Sequence, residues 1–205
     1  MPWWGVVSSV LAPVLLIGGW TAAADLQPIP FDPVSRSISA LAAQGMPYRW
    51  LITTALLGVG ACHIATGLAL RPAAEAGRVM LVFGGVSGLL IATNPQHSHS
   101  GSVPHVIFSA TGAVLMALWP LAGMRQAAGT PFALRPSAAW AYGLVTLGLL
   151  LWFTSQLANG SELGLAERAV TADQSIWPLV VVLSVLLTQR SRAPAAEEAP
   201  ALRSG

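Results

Sequence analysis

Residues 48–70 read YRWLITTALLGVGACHIATGLAL, and no charged side chain falls between Arg49 and Arg71. About 20 consecutive apolar residues in a helix cover the roughly 30 Å hydrocarbon core of a bilayer. A run of this length therefore decides the class. In lipid the backbone must satisfy its own hydrogen bonds, which an α-helix does within one segment.

The same reading extends in both directions. An apolar run starts at Trp3 and continues to about Leu26, with Trp3, Trp4 and Trp20 placed as interfacial anchors near its ends. It lacks the basic start of a secretion signal and exceeds the usual apolar core of one, so it reads as a retained span. Further spans are expected over about 77–93, 104–124, 138–157 and 170–189. Asn94-Pro95 ends the third, because the residue before proline is pushed out of the helical region. Gly84, Gly85 and Gly88 mark a face where a neighbouring helix can approach closely. Pro13, Pro120 and Pro178 are expected to kink or start helices. The expected architecture is an all-α, polytopic transmembrane bundle of six helices over residues 1–190. Residues 191–205, rich in Ala, Pro, Glu and Arg, read as a disordered cytoplasmic tail.

The composition agrees. Hydrophobic residues make up 54% of the chain and charged residues 9%, against about 25% charged in soluble domains. All ten basic residues are arginine, and they sit at span ends instead of forming a patch. That distribution gives no case for a nucleic-acid partner. Seven of them (Arg71, Arg78, Arg125, Arg135, Arg190, Arg192 and Arg203) fall on the side of the termini, and three (Arg36, Arg49 and Arg168) on the other. Arginine-rich loops stay in the cytoplasm, so both termini are expected there, in a multi-pass protein of a bacterial plasma membrane. Cys62 stands alone within an apolar run and reads as a small buried hydrophobe.

Most of the residues that can do chemistry lie in the three loops on the opposite, extracytoplasmic side. In the first, Asp32-Pro33 reads as a turn or helix start with Asp32 as cap, which sets Ser35 and Ser39 one turn apart on its face. Capping alone accounts for these residue types, and a binding or catalytic role is the alternative. The second loop holds His97, His99 and His105 within nine positions. Imidazole is a ready ligand for a divalent metal such as zinc, but the spacing matches no standard zinc motif, and a solvated polar loop capping the fourth helix is the simpler account. The third segment carries Glu167 and Arg168 just before the expected last helix, with Asp173 entering it. These either act as an acid or form ion pairs with Arg36 or Arg168. His63, inside the second span, is either functional or a neutral histidine bonded across the bundle. Phosphate-binding glycine loops, dinucleotide fingerprints, nucleophile elbows and HExxH are absent from the sequence, which removes most soluble-type enzyme readings.

With these elements in this order, the chain resembles the bacterial membrane family catalogued as domain of unknown function 998, from Trp3 to about Gln189. The resemblance rests on Asp32-Pro33, on Ile38-Ser39-Ala40-Leu41, on Pro95 closing the third span, on His99 and His105 opening the fourth, and on Gly164 to Arg168 followed by Trp177. Asn94 stands where the family usually has Phe. The resemblance implies six-helix architecture and carries no activity.

Two functions follow as expectations. The first is binding of a lipid or small apolar ligand near the extracytoplasmic face, contacted by Asp32, Ser35, Arg36, Ser39, His105, Glu167 and Arg168. The alternative is a metal-assisted hydrolase acting on an outer-leaflet lipid, with His97, His99 and His105 holding the metal and Asp32 or Ser39 activating water.

Overall fold

The computed structural model describes residues 1–97, 102–158 and 160–197, with side chains described through residue 191. It is all-helical. The elements are α1 (Trp3–Asp25), α2 (Ile38–Leu41), α3 (Arg49–Ala69), α4 (Glu75–Thr93), α5 (Val103–Gly123), a 3-10 turn (Phe132–Leu134), α6 (Pro136–Gln156) and α7 (Leu163–Glu197). Among the described residues, six helices, all except α2, are long and apolar enough to cross a membrane. Their outward faces carry Val14, Leu144, Val145, Leu151 and Leu187, each more than half exposed. Such surface suits lipid contact and would be an aggregation liability in water.

Five spans keep the expected limits to within two residues, and the sixth does not. α7 begins at Leu163 instead of about Val170 and runs unbroken to Glu197. Glu167 and Arg168 therefore lie inside a helix, not in a loop before it, and Asp173 sits about three turns into that helix instead of at its start. Their polarity looked like an interruption of the apolar run, yet each finds partners on neighbouring segments, which makes helical placement tolerable. The helix includes residues 191–197, and residues 198–205 lie outside the described residues. The helices continue through Pro13 and Pro120, and α7 through Pro178; none of the three starts a helix. Pro136 does, at the first turn of α6, where its missing N–H costs nothing.

The six spans form a ring in chain order, with α7 closing back on α1; packing is most extensive for α1 on α3, α3 on α4 and α4 on α5, and thinnest between α5 and α6. Small residues set the close contacts. A Cβ on Gly85 would sit 2.6 Å from the carbonyl oxygen of Gly60, and one on Gly60 2.7 Å from that of Gly85. This backbone-to-backbone approach of α3 and α4 is what small residues permit in membrane bundles. Gly84 turns to α5, where a Cβ would meet Met116.

Two apolar clusters hold the ring. One lies at the end away from the termini, called the distal end here, and gathers Leu16, Trp20, Phe31, Ile38, Leu41 and Ile52. The other lies at the termini end and gathers Leu70, Leu81, Trp119, Leu134, Val181 and Val185. At that second end the Met1 amino group donates to Gln189 Oε1 at 3.2 Å.

Candidate functional site

The loop between α1 and α3 folds over the distal end of the ring, and its path is fixed by local capping. Asp32 does not cap a helix. Its Oδ1 accepts from the Val34 amide at 2.9 Å and its Oδ2 from the Ser35 hydroxyl at 2.5 Å. These bonds hold the exposed carboxyl below the usual aspartate range, with Ser35 as the larger cause and the Val34 amide second. Ser37 caps the short helix instead, its Oγ accepting from the Ala40 amide at 3.0 Å. The helix expected from Asp32 therefore starts at Ile38, and Ser35 and Ser39 do not share a face. Ser35 stays with Asp32 at the surface, whereas Ser39 turns inward.

Arg168 anchors this loop from α7. Its Nη1 donates to the carbonyl oxygens of Pro33 (2.8 Å), Arg36 (2.9 Å) and Gly164 (3.0 Å). Its guanidinium also lies 5.9 Å from the Trp20 ring centroid and 6.0 Å from that of Phe31, within cation–π range. Arg36 covers Phe31 at 4.4 Å. Neither arginine makes a direct ion pair among the described residues; backbone carbonyls and aromatic rings are their close partners, and Glu167 and Asp32 act on Arg168 through charge alone. Gly164 lets the loop sit against the first turn of α7, since a Cβ there would lie 2.6 Å from the Pro33 carbonyl oxygen.

Beneath the loop, three polar side chains from three segments meet. Glu167 on α7 accepts from the Ile38 amide at 2.5 Å and from the Ser39 hydroxyl at 3.1 Å. His105, 2% exposed on the first turn of α5, places Nε2 3.1 Å from Ser39 Oγ and Nδ1 3.0 Å from the Asn94 carbonyl oxygen. A carbonyl oxygen can only accept, so Nδ1 carries a proton. The Ser39 hydroxyl has one hydrogen and two neighbours. If it donates to Glu167, Nε2 must be protonated and donate to Ser39. If it donates to Nε2, Glu167 must be the carboxylic acid. The trio therefore holds one proton beyond those of Ser39 and of His105 Nδ1, and the serine hydroxyl links its two possible seats.

Of the expected histidine cluster, His97 and His105 fall among the described residues. His97 is exposed, His105 is buried with both ring nitrogens engaged, and His99 lies outside the described residues. No three His, Cys, Asp or Glu side chains among the described residues come together as metal ligands. Asp173, the other inward acid, accepts from Thr146 Oγ1 at 2.6 Å across the α6–α7 contact, beside the stacked pair of Tyr142 and Trp177.

Ser39 and Glu167 also form part of the wall of a cavity of about 170 Å³ in the middle of the ring. The rest of the wall is mostly apolar, with Leu16, Val59, Ile91, Met116 and Phe153 among its residues. Leu150 and Phe153 of α6 face Ser109 and Ala113 of α5 across it, where the ring packs least closely. His63, Gln174 and Ser175 reach the same cavity from α3 and α7. His63 stood out as an ionisable residue within a span, whereas Gln174 and Ser175 had no signal beyond being polar residues in a span.

No curated protein and no solved structure matches the chain. A family match covers most of its length and includes the first-loop, α5 and α7 residues that build the distal site. By that match, over residues 10–184, the chain belongs to the family described as Protein of unknown function (DUF998).

Proposed function

We propose that the protein binds a small apolar ligand, or the slim apolar part of a lipid, inside the ring. The ligand's polar atom meets Ser39 and Glu167, with His105 behind them. The observation that carries this reading is the cavity itself: an apolar-walled space with a hydrogen-bonding trio at one end. Ligand pockets have this composition, mostly apolar with a few convergent polar groups. A cavity of about 150 Å³ is known to hold benzene, so 170 Å³ admits a ligand of about one ring or a short chain. Asp32, Ser35 and Arg36 lie in the covering loop and act by shaping it.

The test is native mass spectrometry of the detergent-purified protein beside Ser109→Phe, which fills the cavity from the α5 wall one turn below His105. A bound small molecule in the wild type, lost in the variant at an unchanged melting temperature, is the expected result. An equal content in both proteins would sink the reading. The Ser39–His105 hydrogen bond favours a second reading, hydrolysis with Ser39 as nucleophile and His105 as base. Turnover of an added ester that disappears in Ser39→Ala would select it. A metal would have to displace Ser39 or Asn94 from His105 in such a site, since both nitrogens are taken.

The arginine bias supports a distal end that faces away from the cytoplasm of a bacterial cell, with both termini inside. A membrane-impermeant maleimide on intact cells is then expected to label Val34→Cys and to leave Ala128→Cys unlabelled until permeabilisation. The reverse pattern would invert the topology.

A further inference from the structure

Two polar atoms in the cavity wall are buried without a partner: Nε2 of His63 and Oγ of Ser175. His63 is 6% exposed and Ser175 1%. An unpaired buried polar group costs about 1–3 kcal/mol, and most such groups in folded proteins are satisfied by protein, water or ligand. Here the two come from different helices, His63 from α3 and Ser175 from α7, and both border the same space. They lie deeper in the ring than the Ser39 trio. Ser175 follows Glu167 by eight residues on one helix, which at 1.5 Å per residue places it about 12 Å further along the axis. The wall between is mostly apolar, and its two polar residues on α7, Thr171 and Gln174, donate to backbone carbonyls of Glu167 and Ala113.

We infer that the cavity is a two-ended site whose ligand carries a second polar group, a hydroxyl or carbonyl oxygen, that bonds to His63 and Ser175. The inference rests on the binding reading above and narrows its ligand class. The ligand is an apolar body about one ring wide with hydrogen-bonding oxygens at opposite ends. Ser39 and Glu167 take one oxygen. The hydroxyl of Ser175 and the imidazole of His63, each able to donate or accept, take the other. A ligand polar at one end only leaves the inner pair unsatisfied. A site built with buried polar groups rejects the analogue that lacks their partner far more strongly than an apolar pocket rejects an extra methylene.

Two probes separate these cases: 4-methylphenol and 4-(hydroxymethyl)phenol, which differ by one oxygen at the end remote from the phenol. Binding of each is measured by titration calorimetry on the detergent-purified full chain, with the ring resonances of labelled histidine followed by NMR. The wild type is expected to prefer the hydroxymethyl compound, with the His63 resonance moving only for that probe. In Ser175→Ala and in His63→Phe the ratio of the two affinities is expected to fall about tenfold, equivalent to roughly 1.4 kcal/mol. Taking the ratio cancels the different partitioning of the probes into detergent. Ser175→Ala removes a hydroxyl that has no protein partner, so it is expected to melt no lower than the wild type, which keeps the test readable if His63→Phe fails to fold. A ratio unchanged in both variants, with both probes bound, would overturn the inner site and leave the cavity reading standing. Failure of both probes to bind would overturn the two together.

Discussion

Gly77→Leu is expected to prevent the bundle from forming a stable fold. A Cβ at Gly77 would collide with the backbone of Gly123 and lie 2.6 Å from the Trp119 carbonyl oxygen. These are backbone atoms of α5, so no rotamer change relieves the clash. The two helices are fixed at this point by more than contact. The Ala74 amide donates to the Gly123 carbonyl at 3.0 Å, and Arg125 Nη2 reaches the Ala73 carbonyl at 3.3 Å. Overpacking a tight site typically costs about 1–3 kcal/mol and occasionally more, and a clash with backbone belongs at the top of that range. With about 2–4 °C per kcal/mol for a chain of this size, a drop of about 10 °C or complete loss of a transition is expected. Gly148→Leu is the control, because a Cβ there meets nothing within 4 Å. Thermal melting in detergent decides the matter, and equal melting of the two variants would refute the argument.

Arg168→Leu is expected to free the loop over the distal end while leaving the spans in place. Hydrogen bonds to a charged group contribute about 1.5–3 kcal/mol each in isolation. The three bonds share one nitrogen and one side chain, so about 3 kcal/mol in total is the reasonable scale. That corresponds to roughly a hundredfold rise in the open population of the loop. Limited proteolysis reads that population directly, through the rate of cutting between residues 26 and 48. Arg168→Lys is expected to fall between the two, because an ammonium still offers three donors to the carbonyls but lacks the flat face that covers Trp20 and Phe31. A cutting rate in Arg168→Leu equal to that of the wild type would show that Gly164 packing and the Leu165 amide bond to Val34 O (2.9 Å) hold the loop alone.

The spans were legible because a bilayer imposes one length and one composition on every segment that crosses it. The start of α7 was not, since Glu167 and Arg168 look like a loop, and Asp173 like a helix start, until their partners are known. Those partners are the Ile38 amide, the carbonyls of Pro33 and Arg36, and the Thr146 hydroxyl, all distant in sequence. The distal site behaves the same way. Ser39, His105 and Glu167 stood together among the expected ligand contacts, but nothing in the sequence set these three apart from Asp32, Ser35 and Arg36, which lie in the covering loop. Their meeting depends on ring order, which puts α5 and α7 on either side of the loop, and no local spacing encodes that. Asp32 illustrates the converse. Its local signal was correct as a turn and misleading as a helix start, because a nearby amide and hydroxyl captured its carboxyl first.

The closure of the ring by α7 against α1 has a consequence for how the protein is made. Spans leave the ribosome in order, and α1, α3, α4 and α5 can each dock on the span before. The distal trio and the Arg168 anchor wait for the last span to arrive, because both depend on α7. Until then the first loop has no fastening, and Leu16 and Trp20 lack part of their final cover. The newborn chain therefore passes through a stage with every membrane crossing but one in place and no distal trio, and insertion of its final segment completes the cavity wall and the loop anchor in a single event.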